Sequence, residues 1–265
     1  MNIFKLEFKK KIKSMLIWEA SILAWALIVV SFIPMIVDQG ENFVDILDSM
    51  GAFGDVFNIN SATFSTVLGI IGMYFGMLLI VFGIQAANYG FSLVTVEEAE
   101  LTADFLLTKP VKRSKIITNK ILASVAIMFI TCVIYVLVTY FSVITIASNY
   151  TIDKKALLLI LATAFFVQLF FFSLSILISL FLKKVKSVTP FSMGLVFGLF
   201  ILSAFARTFE IEFIKYINPF SYFETATIAQ NGTLDTKFFI INLCVVLVSI
   251  AISYLLYRRR DIQSV

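Results

Sequence analysis

Hydrophobic positions of this chain are gathered into six long apolar stretches that short polar segments separate. Each stretch has at least roughly 18 residues, enough for an α-helix to cross a hydrocarbon core of about 30 Å. None alternates between polar and apolar residues as the strands of a membrane barrel do. The pattern predicts an all-α integral membrane protein with one transmembrane domain over residues 1–265. The six predicted transmembrane helices are Met15–Val37, Phe64–Ala87, Ile121–Ala147, Ala156–Leu182, Val188–Ala206 and Phe238–Tyr257.

Composition and charge support this interpretation and predict an orientation. Hydrophobic residues make up 60% of the chain and charged residues 14%, against roughly 25% charged residues in soluble domains. Most of the 21 lysines and arginines lie at the two termini and in the segments after spans two and four. Cytoplasmic loops retain such positive charge. We therefore expect both termini on the cytoplasmic side, and attribute the net charge of +4 to topology and not to nucleic-acid binding.

The first segment, residues 1–14, is amphipathic. Phe4, Phe8 and Ile12 repeat at helical spacing beside a stripe of lysines. This pattern predicts an N-terminal interfacial helix that lies on the inner leaflet and leads into span one. A simple basic anchor would use the same residues and stays open as an alternative.

Glycines recur at helical spacing in two spans. Span two carries Gly69, Gly76 and Gly83, and span five carries Gly194 and Gly198 as a GxxxG pair. Small residues let helix backbones approach closely in a membrane. We expect both sets to pack inside the bundle, with an oligomer interface as the alternative.

The outer segment between spans five and six, residues 207–237, is too apolar for an exposed coil. A break at Asn218 divides it, Ser221 with Glu224 reads as a capping box, and Gly232 can end a short helix. The segment is predicted to be a re-entrant helical hairpin that dips into the outer leaflet.

The spans offer almost nothing to an enzyme. The chain has no histidine, and Glu19 is the one formal charge within a predicted span, near its cytoplasmic end, where we expect the side chain to snorkel to the interface. Neither a Ser/His arrangement nor the Gly-Lys dipeptide of a nucleotide-binding P-loop occurs. We expect no catalytic residues, no metal site and no cofactor on this chain. ATP and Mg, if used, belong to a partner.

The cytoplasmic segment between spans two and three, residues 88–120, is rich in charge. Thr95 followed by Glu98 reads as a capping box and Pro110 as a helix stop, which predicts a short helix from Val96 to Thr108. On that helix Leu101 and Phe105 project away from the main apolar face. This second face is the one that would need a protein partner.

The sequence EEAELTADFLLTKPVKRSKIITNK resembles the intracellular segment of ABC-2-type transporter permeases. Leu101 stands where the family has glycine, and Ala103 where it has leucine. INPFSYF before the last span and YRRRDI at the tail are similar to further family motifs, so the resemblance extends over the whole chain. The matching residues in the first segment are Thr102, Asp104, Leu106, Leu107, Pro110, Val111 and Arg113.

This resemblance implies a permease subunit of an ATP-driven exporter in the bacterial cell membrane. Two permease subunits, identical or paralogous, would work with two separate ATPase subunits, and the helix after span two would be the coupling helix that seats in the ATPase. Arg113 would form the basic hinge before span three. The implied ATPase contacts are Glu98, Leu101, Thr102, Phe105, Leu106 and Leu107.

An amphipathic or hydrophobic cargo, such as a peptide or drug-like molecule, fits a chain with 29 phenylalanines and little charge in its spans. Tyr135, Thr139, Tyr140 and Gln168 are candidate pathway residues. Two alternatives stay open at this point. One is a membrane anchor or sensor subunit that recruits a cytosolic partner, and the other is an ion-coupled secondary carrier, for which Glu19 would be the only intramembrane ion ligand.

Overall fold

The computed structural model describes residues 3–39, 64, 66–99, 113–182 and 187–259. These residues form nine helices and, within those ranges, no strand. The six long ones are apolar enough to cross a membrane, so the prediction of an all-α membrane protein with six spans is confirmed. The helices are α1 Ile3–Asp38, α2 Val67–Ala99, α3 Arg113–Ile146, α4 Lys154–Ser179, α5 Thr189–Thr208, α6 Glu212–Lys215, α7 Pro219–Tyr222, α8 Thr225–Asn231 and α9 Thr236–Arg259.

An even number of spans brings both termini to one end of the bundle, which we call the terminal end; the other is the distal end. At the terminal end α2 and α3 run well beyond the predicted spans, to Ala99 and from Arg113. Helices continue past their apolar stretch because the backbone hydrogen-bond ladder extends into polar sequence without any break signal.

The N-terminal segment is helical as predicted, and it is continuous with span one. α1 has 36 residues and is about 54 Å long at 1.5 Å per residue. Lys5 and Lys9 are exposed, whereas Glu7 is buried and Phe8 packs against the core. The first turns therefore pack on the bundle through one face, and their position on the inner leaflet stays a prediction.

Two helix pairs make up most of the bundle. α1 packs most extensively on α3, α2 packs most extensively on α4, and the contact between α2 and the α1–α3 pair is much smaller. α5 lies against α2, and α9 lies against α4. The boundary between the two pairs, which also includes a contact between α3 and α4, is therefore less extensive than the contact within either pair among the described helices.

The α2–α4 contact depends on Gly90. A Cβ atom at this position would meet the Ser175 side chain and would lie 2.6 Å from the Phe172 carbonyl oxygen. The two backbones therefore approach as closely as a glycine permits. Gly83 is also tightly packed, against Phe171 and Val196 at 3.0–3.1 Å, which confirms internal packing for span two at this position.

Span five differs from the prediction. Gly194 and Gly198 are exposed, and a Cβ atom at either would have no other described atom within 4 Å. Their predicted role in packing within this bundle is wrong for the part of the chain that the structure describes. The buried face of α5 carries Ser192 and Val196 instead, which leaves the GxxxG face pointing outward.

Three short helices, α6 to α8, occupy the segment predicted as a two-helix hairpin. The chain breaks at Asn218 as expected, but two helices follow the break. Ser221 lies inside α7, and the Glu224 side chain makes no capping hydrogen bond, so the predicted capping box is wrong. Gly232 ends α8 in the left-handed conformation at φ 62°, as predicted. The depth of this segment in a membrane stays a prediction.

Asn218 holds this segment in the distal end of the bundle. It is fully buried. Its side-chain oxygen Oδ1 caps α7 by accepting from the Phe220 N–H at 3.1 Å, and its side-chain Nδ2 donates to the Leu199 carbonyl oxygen at 2.7 Å. Leu199 lies about two and a half turns before α5 ends. Tyr222 donates to the Tyr216 carbonyl at 2.6 Å, and burial raises the pKa of Tyr222 to about 12, which keeps this donor protonated at neutral pH.

Candidate functional site

The segment predicted to contact an ATPase follows the terminal end of α2. Thr95 does not begin a new helix: it lies within α2 and donates from Oγ1 to the Phe91 oxygen at 2.7 Å, so the predicted cap at Thr95 is wrong. Such a bond to the preceding turn is the alternative to capping for a threonine inside a helix. Glu98 lies in the last turn of α2, and Arg113 begins α3. The other predicted contacts lie outside the described residues, namely Leu101, Thr102, Phe105, Leu106 and Leu107.

The two helices that flank this segment are joined directly. Lys120 of α3 is 3% exposed and donates from Nζ to the Leu93 carbonyl oxygen of α2 at 2.9 Å. Ile116 and Ile117 are buried beside it. The segment 100–112 thus starts and ends on helices that share a buried charged hydrogen bond, so a force on it would act on both spans.

Two buried polar side chains of the interior join α2 to α4. Gln168 of α4 donates from Nε2 to Oε1 of Gln85 of α2 at 2.8 Å, and both residues are fully buried. The Gln85 nitrogen and the Gln168 oxygen make no hydrogen bond of good distance and angle among the described residues. Sequence reasoning placed Gln168 in a cargo pathway, but the structure uses it to join α2 to α4.

Replacing Gln168 by leucine is expected to lower the free energy of unfolding by about 1–2 kcal/mol, because the buried Gln85 oxygen then loses its donor. The double variant with Gln85→Leu should be more stable than Gln168→Leu alone, since no half-paired amide is left buried. Thermal melts of the four chains of this cycle in one detergent provide the measurement. If the double variant lost as much stability as the two single variants together, the 2.8 Å contact between the two amides would contribute no interaction energy.

We expected the Glu19 side chain to snorkel to the interface, but it is buried instead. Its side chain is 6% exposed, and neither carboxylate oxygen has a hydrogen-bond partner at full geometry among the described residues. The hydroxyl of Thr131, itself fully buried, interacts with this carboxyl group. Thr131 lies near the middle of α3, so Glu19 sits deep in the bundle and not at its edge.

The register of α1 and α3 explains this depth. The Tyr150 hydroxyl just after α3 donates to Asp38 at 2.7 Å, at a separation of 112 residues, and Glu19 and Thr131 are separated by the same number. The two helices therefore run side by side without slippage, and Glu19 is level with Thr131 although it lies near the start of its own apolar stretch. The bond to Asp38 also raises the pKa of Tyr150.

Tyr89 of α2 completes the polar group on the opposite side. It is 4% exposed, and its hydroxyl interacts with Ser14, Gln85 and the charge of Glu19. Within the described part of the chain this hydroxyl makes no hydrogen bond of good distance and angle. We call Glu19, Thr131, Tyr89 and Gln85 the polar cluster.

A groove lies between α1, α2 and α3 on the distal side of the polar cluster. It is a shallow groove at the surface, and the space of about 310 Å³ within it includes open solvent. Thr139 is 4% exposed, and its hydroxyl has no partner at full geometry among the described residues. The Tyr135 ring is 5.0 Å from the Phe82 ring, and together they separate the groove from the polar cluster. The polar and aromatic lining residues are Trp25, Tyr74, Phe75, Tyr135 and Thr139.

The structure brings together two of the four predicted pathway residues. Tyr135 and Thr139 line the groove, Gln168 lies in the α2–α4 contact, and Tyr140 stacks edge-on against Phe141 with 5.7 Å between ring centroids. Trp25 and Tyr89 were not predicted from the sequence to lie at an interior site.

The burial of Glu19 could have been predicted from its spacing along α1. Ile22, Ala26, Val30 and Ile33 continue from Glu19 at intervals of three and four residues, and all of them are buried on the face of α1 that packs on α3. A charge in phase with the buried stripe of a span is an interior charge.

Comparison with known proteins gives one family. The family model described as ABC-2 family transporter protein matches residues 1–262. No curated protein matches the chain.

Proposed function

Because this chain belongs to the ABC-2 transporter family, we propose that it is the transmembrane permease subunit of an ATP-driven exporter. The observation that carries the proposal is the family match over 262 residues, combined with six membrane-crossing helices. The energy would come from a separate ATPase that binds ATP and Mg. The chain would lie in the bacterial cell membrane with both termini in the cytoplasm, as its lysine and arginine distribution favours.

Coupling to the ATPase would pass through residues 100–112 and the helix ends beside them. Glu98, Leu101, Thr102, Phe105, Leu106, Leu107 and Arg113 are the proposed contacts. Since Lys120 bonds the Leu93 carbonyl, motion of this segment would be transmitted to α2 and α3 together. α2 and α3 belong to different helix pairs, so their joint displacement would change the boundary that contains the groove. ATP must favour one of the two arrangements over the other to drive such a change.

The working unit would contain two permease copies, identical or paralogous. The exposed face of α5 supports this, since Gly194 and Gly198 leave room for a second helix to approach. We place the second copy on this face. Its cargo would be an amphipathic or hydrophobic molecule, such as a peptide or a drug-like compound.

Reconstitution tests the proposed function. The chain is co-expressed with an ABC-type ATPase from its own cell, and the purified pair is placed in lipid vesicles. ATP hydrolysis should rise severalfold over that of the ATPase alone, because the permease holds the two motors in register. Equal hydrolysis with and without the permease would argue instead for an anchor or sensor subunit. A flux that needs an ion gradient and no ATPase would favour the secondary carrier.

A further inference from the structure

The first four turns of α1 have one face on the bundle and one face that is exposed. Ile3, Glu7 and Met15 are buried, and Phe8 and Ile12 pack against the core. Between residues 3 and 17, every exposed side chain is either a lysine or aliphatic. These exposed residues are Lys5, Leu6, Lys9, Lys10, Lys13, Leu16 and Ile17. We call Lys5, Lys9, Lys10 and Lys13 the lysine face.

No acid lies on the lysine face. Glu7 is the one acidic residue between positions 3 and 17, and it is buried on the opposite side, 3.9 Å from Lys11. Within the described part of the chain, Lys9, Lys10 and Lys13 form no ion pair. A set of cations with no acid beside it attracts an anionic surface or ligand.

The continuation of this face along α1 shows what covers it. Leu16 is 57% exposed and Ile17 is 61% exposed, and they begin the apolar stretch of the first span. Exposed apolar side chains of a transmembrane helix contact lipid tails. Because α1 is one continuous helix, the lysines lie one to three turns nearer the terminal end than these lipid-facing residues. Helical side chains also point towards the N-terminus, so the ammonium groups reach towards the lipid headgroups.

The neighbouring helix has a cation at the same depth. α1 and α3 lie in register at a separation of 112 residues, which places Lys115 level with Ile3. Lys115 is exposed as well. The polar ends of both helices therefore form one cationic level at the terminal end, next to the apolar surface that lipid covers.

We propose that the lysine face binds the headgroups of anionic phospholipids, whose acyl chains lie along Leu16 and Ile17. The helix binds this lipid while it stands upright, because the apolar face that would enter the leaflet packs on the bundle instead. The site concerns neither cargo nor ATPase, and it goes beyond the proposed function.

A tryptophan on the lysine face can report the lipid that lies against it. The reporter is Leu16→Trp in a chain that also carries Trp18→Phe and Trp25→Phe, which removes both native tryptophans. The full-length chain is placed in vesicles of dibrominated phosphatidylglycerol or phosphatidylcholine mixed with the other, unbrominated lipid. Quenching should give an association constant for phosphatidylglycerol about fivefold or more above that for phosphatidylcholine, and about 0.5 M salt should lower this preference.

A second reporter on the same helix is the matched control. Met35→Trp in the same background lies on an exposed position near the distal end, one turn before Asp38 and far from the lysines. This position should show no preference for phosphatidylglycerol. Equal association constants of the two lipids at Leu16→Trp, or the same preference at both positions, would overturn the proposal.

Removing the charges tests the lysines themselves. With Lys9→Gln, Lys10→Gln and Lys13→Gln together, the preference at Leu16→Trp should fall to about twofold or less. Quenching by dibrominated phosphatidylcholine should be unchanged, which shows that the helix still meets lipid. Lys154→Gln with Lys155→Gln, at the exposed start of α4 on the distal end, should keep the full preference. A triple variant that keeps the preference would overturn the proposal, above all if it loses its ATPase instead.

A measurement on the chain without substitutions is independent of any folding defect. The purified protein in detergent is mixed with equal amounts of phosphatidylglycerol and phosphatidylcholine and studied by native mass spectrometry. Phosphatidylglycerol should be retained about fivefold or more over phosphatidylcholine. Equal retention of the two lipids would overturn the proposal.

Discussion

A chain carrying Leu101→Asp and Phe105→Asp is expected to lose its ATPase. In the predicted coupling helix these two residues would form the apolar face that needs a protein partner, and the family resemblance implies that this face is the coupling contact. Apolar anchors at the centre of an interface each contribute about 2 kcal/mol or more, and a buried unpaired carboxylate adds a further penalty. Retention of the ATPase during affinity purification should therefore fall at least about tenfold, and hydrolysis stimulated by the permease should disappear.

Two controls separate this effect from a general folding defect. Leu101→Met with Phe105→Leu keeps the face apolar and should retain the complex. Lys154→Asp introduces the same charge at the exposed start of α4 on the distal end and should also retain it. Full retention of the ATPase and of stimulated hydrolysis by the double aspartate variant would contradict the coupling assignment.

Replacing Gly90 by alanine is expected to cause the largest loss of stability among single methyl additions to the described glycines. The added carbon would lie 2.6 Å from the Phe172 carbonyl oxygen, and a backbone oxygen cannot move aside without shifting α4. Overpacking of this kind costs about 1–3 kcal/mol. The melting temperature in detergent should fall by several degrees, and the cost should exceed the gain of roughly 1 kcal/mol that alanine brings to a helix interior.

Gly76→Ala is the matched control on the same helix, because no described atom lies within 4 Å of its Cβ position. This variant should be as stable as the native chain or slightly more so. If the Gly90→Ala chain had the same melting temperature as the Gly76→Ala chain, α2 and α4 would not approach as closely as described.

The hydrophobic pattern was sufficient for the number and order of the spans. Each span is a separate apolar stretch. Since the hydrocarbon core offers no water, the backbone N–H and C=O groups of each stretch must bond to one another, which a helix achieves. The break at Asn218 and the helix end at Gly232 were also predictable, because a capping side chain and a left-handed glycine act locally.

The interior site was not predictable in the same way. Glu19 lies near the start of its own apolar stretch, and only the register of α1 against α3 places it opposite Thr131. Likewise the hydroxyl of Thr95 can cap a new helix or bond the preceding turn, and the choice depends on whether α2 continues. The outward direction of Gly194 and Gly198 depends on which face of α5 meets α2. Such choices are made by contacts between distant parts of the chain.

The central claim is that this chain is the membrane half of an ATP-driven transporter. Its most direct test is native mass spectrometry of the chain after gentle purification from its own cell with its partners attached. We expect a complex that contains two permease copies and two copies of a nucleotide-binding ATPase. A chain that is recovered with no ATPase, alone or with partners that bind no nucleotide, would contradict the claim.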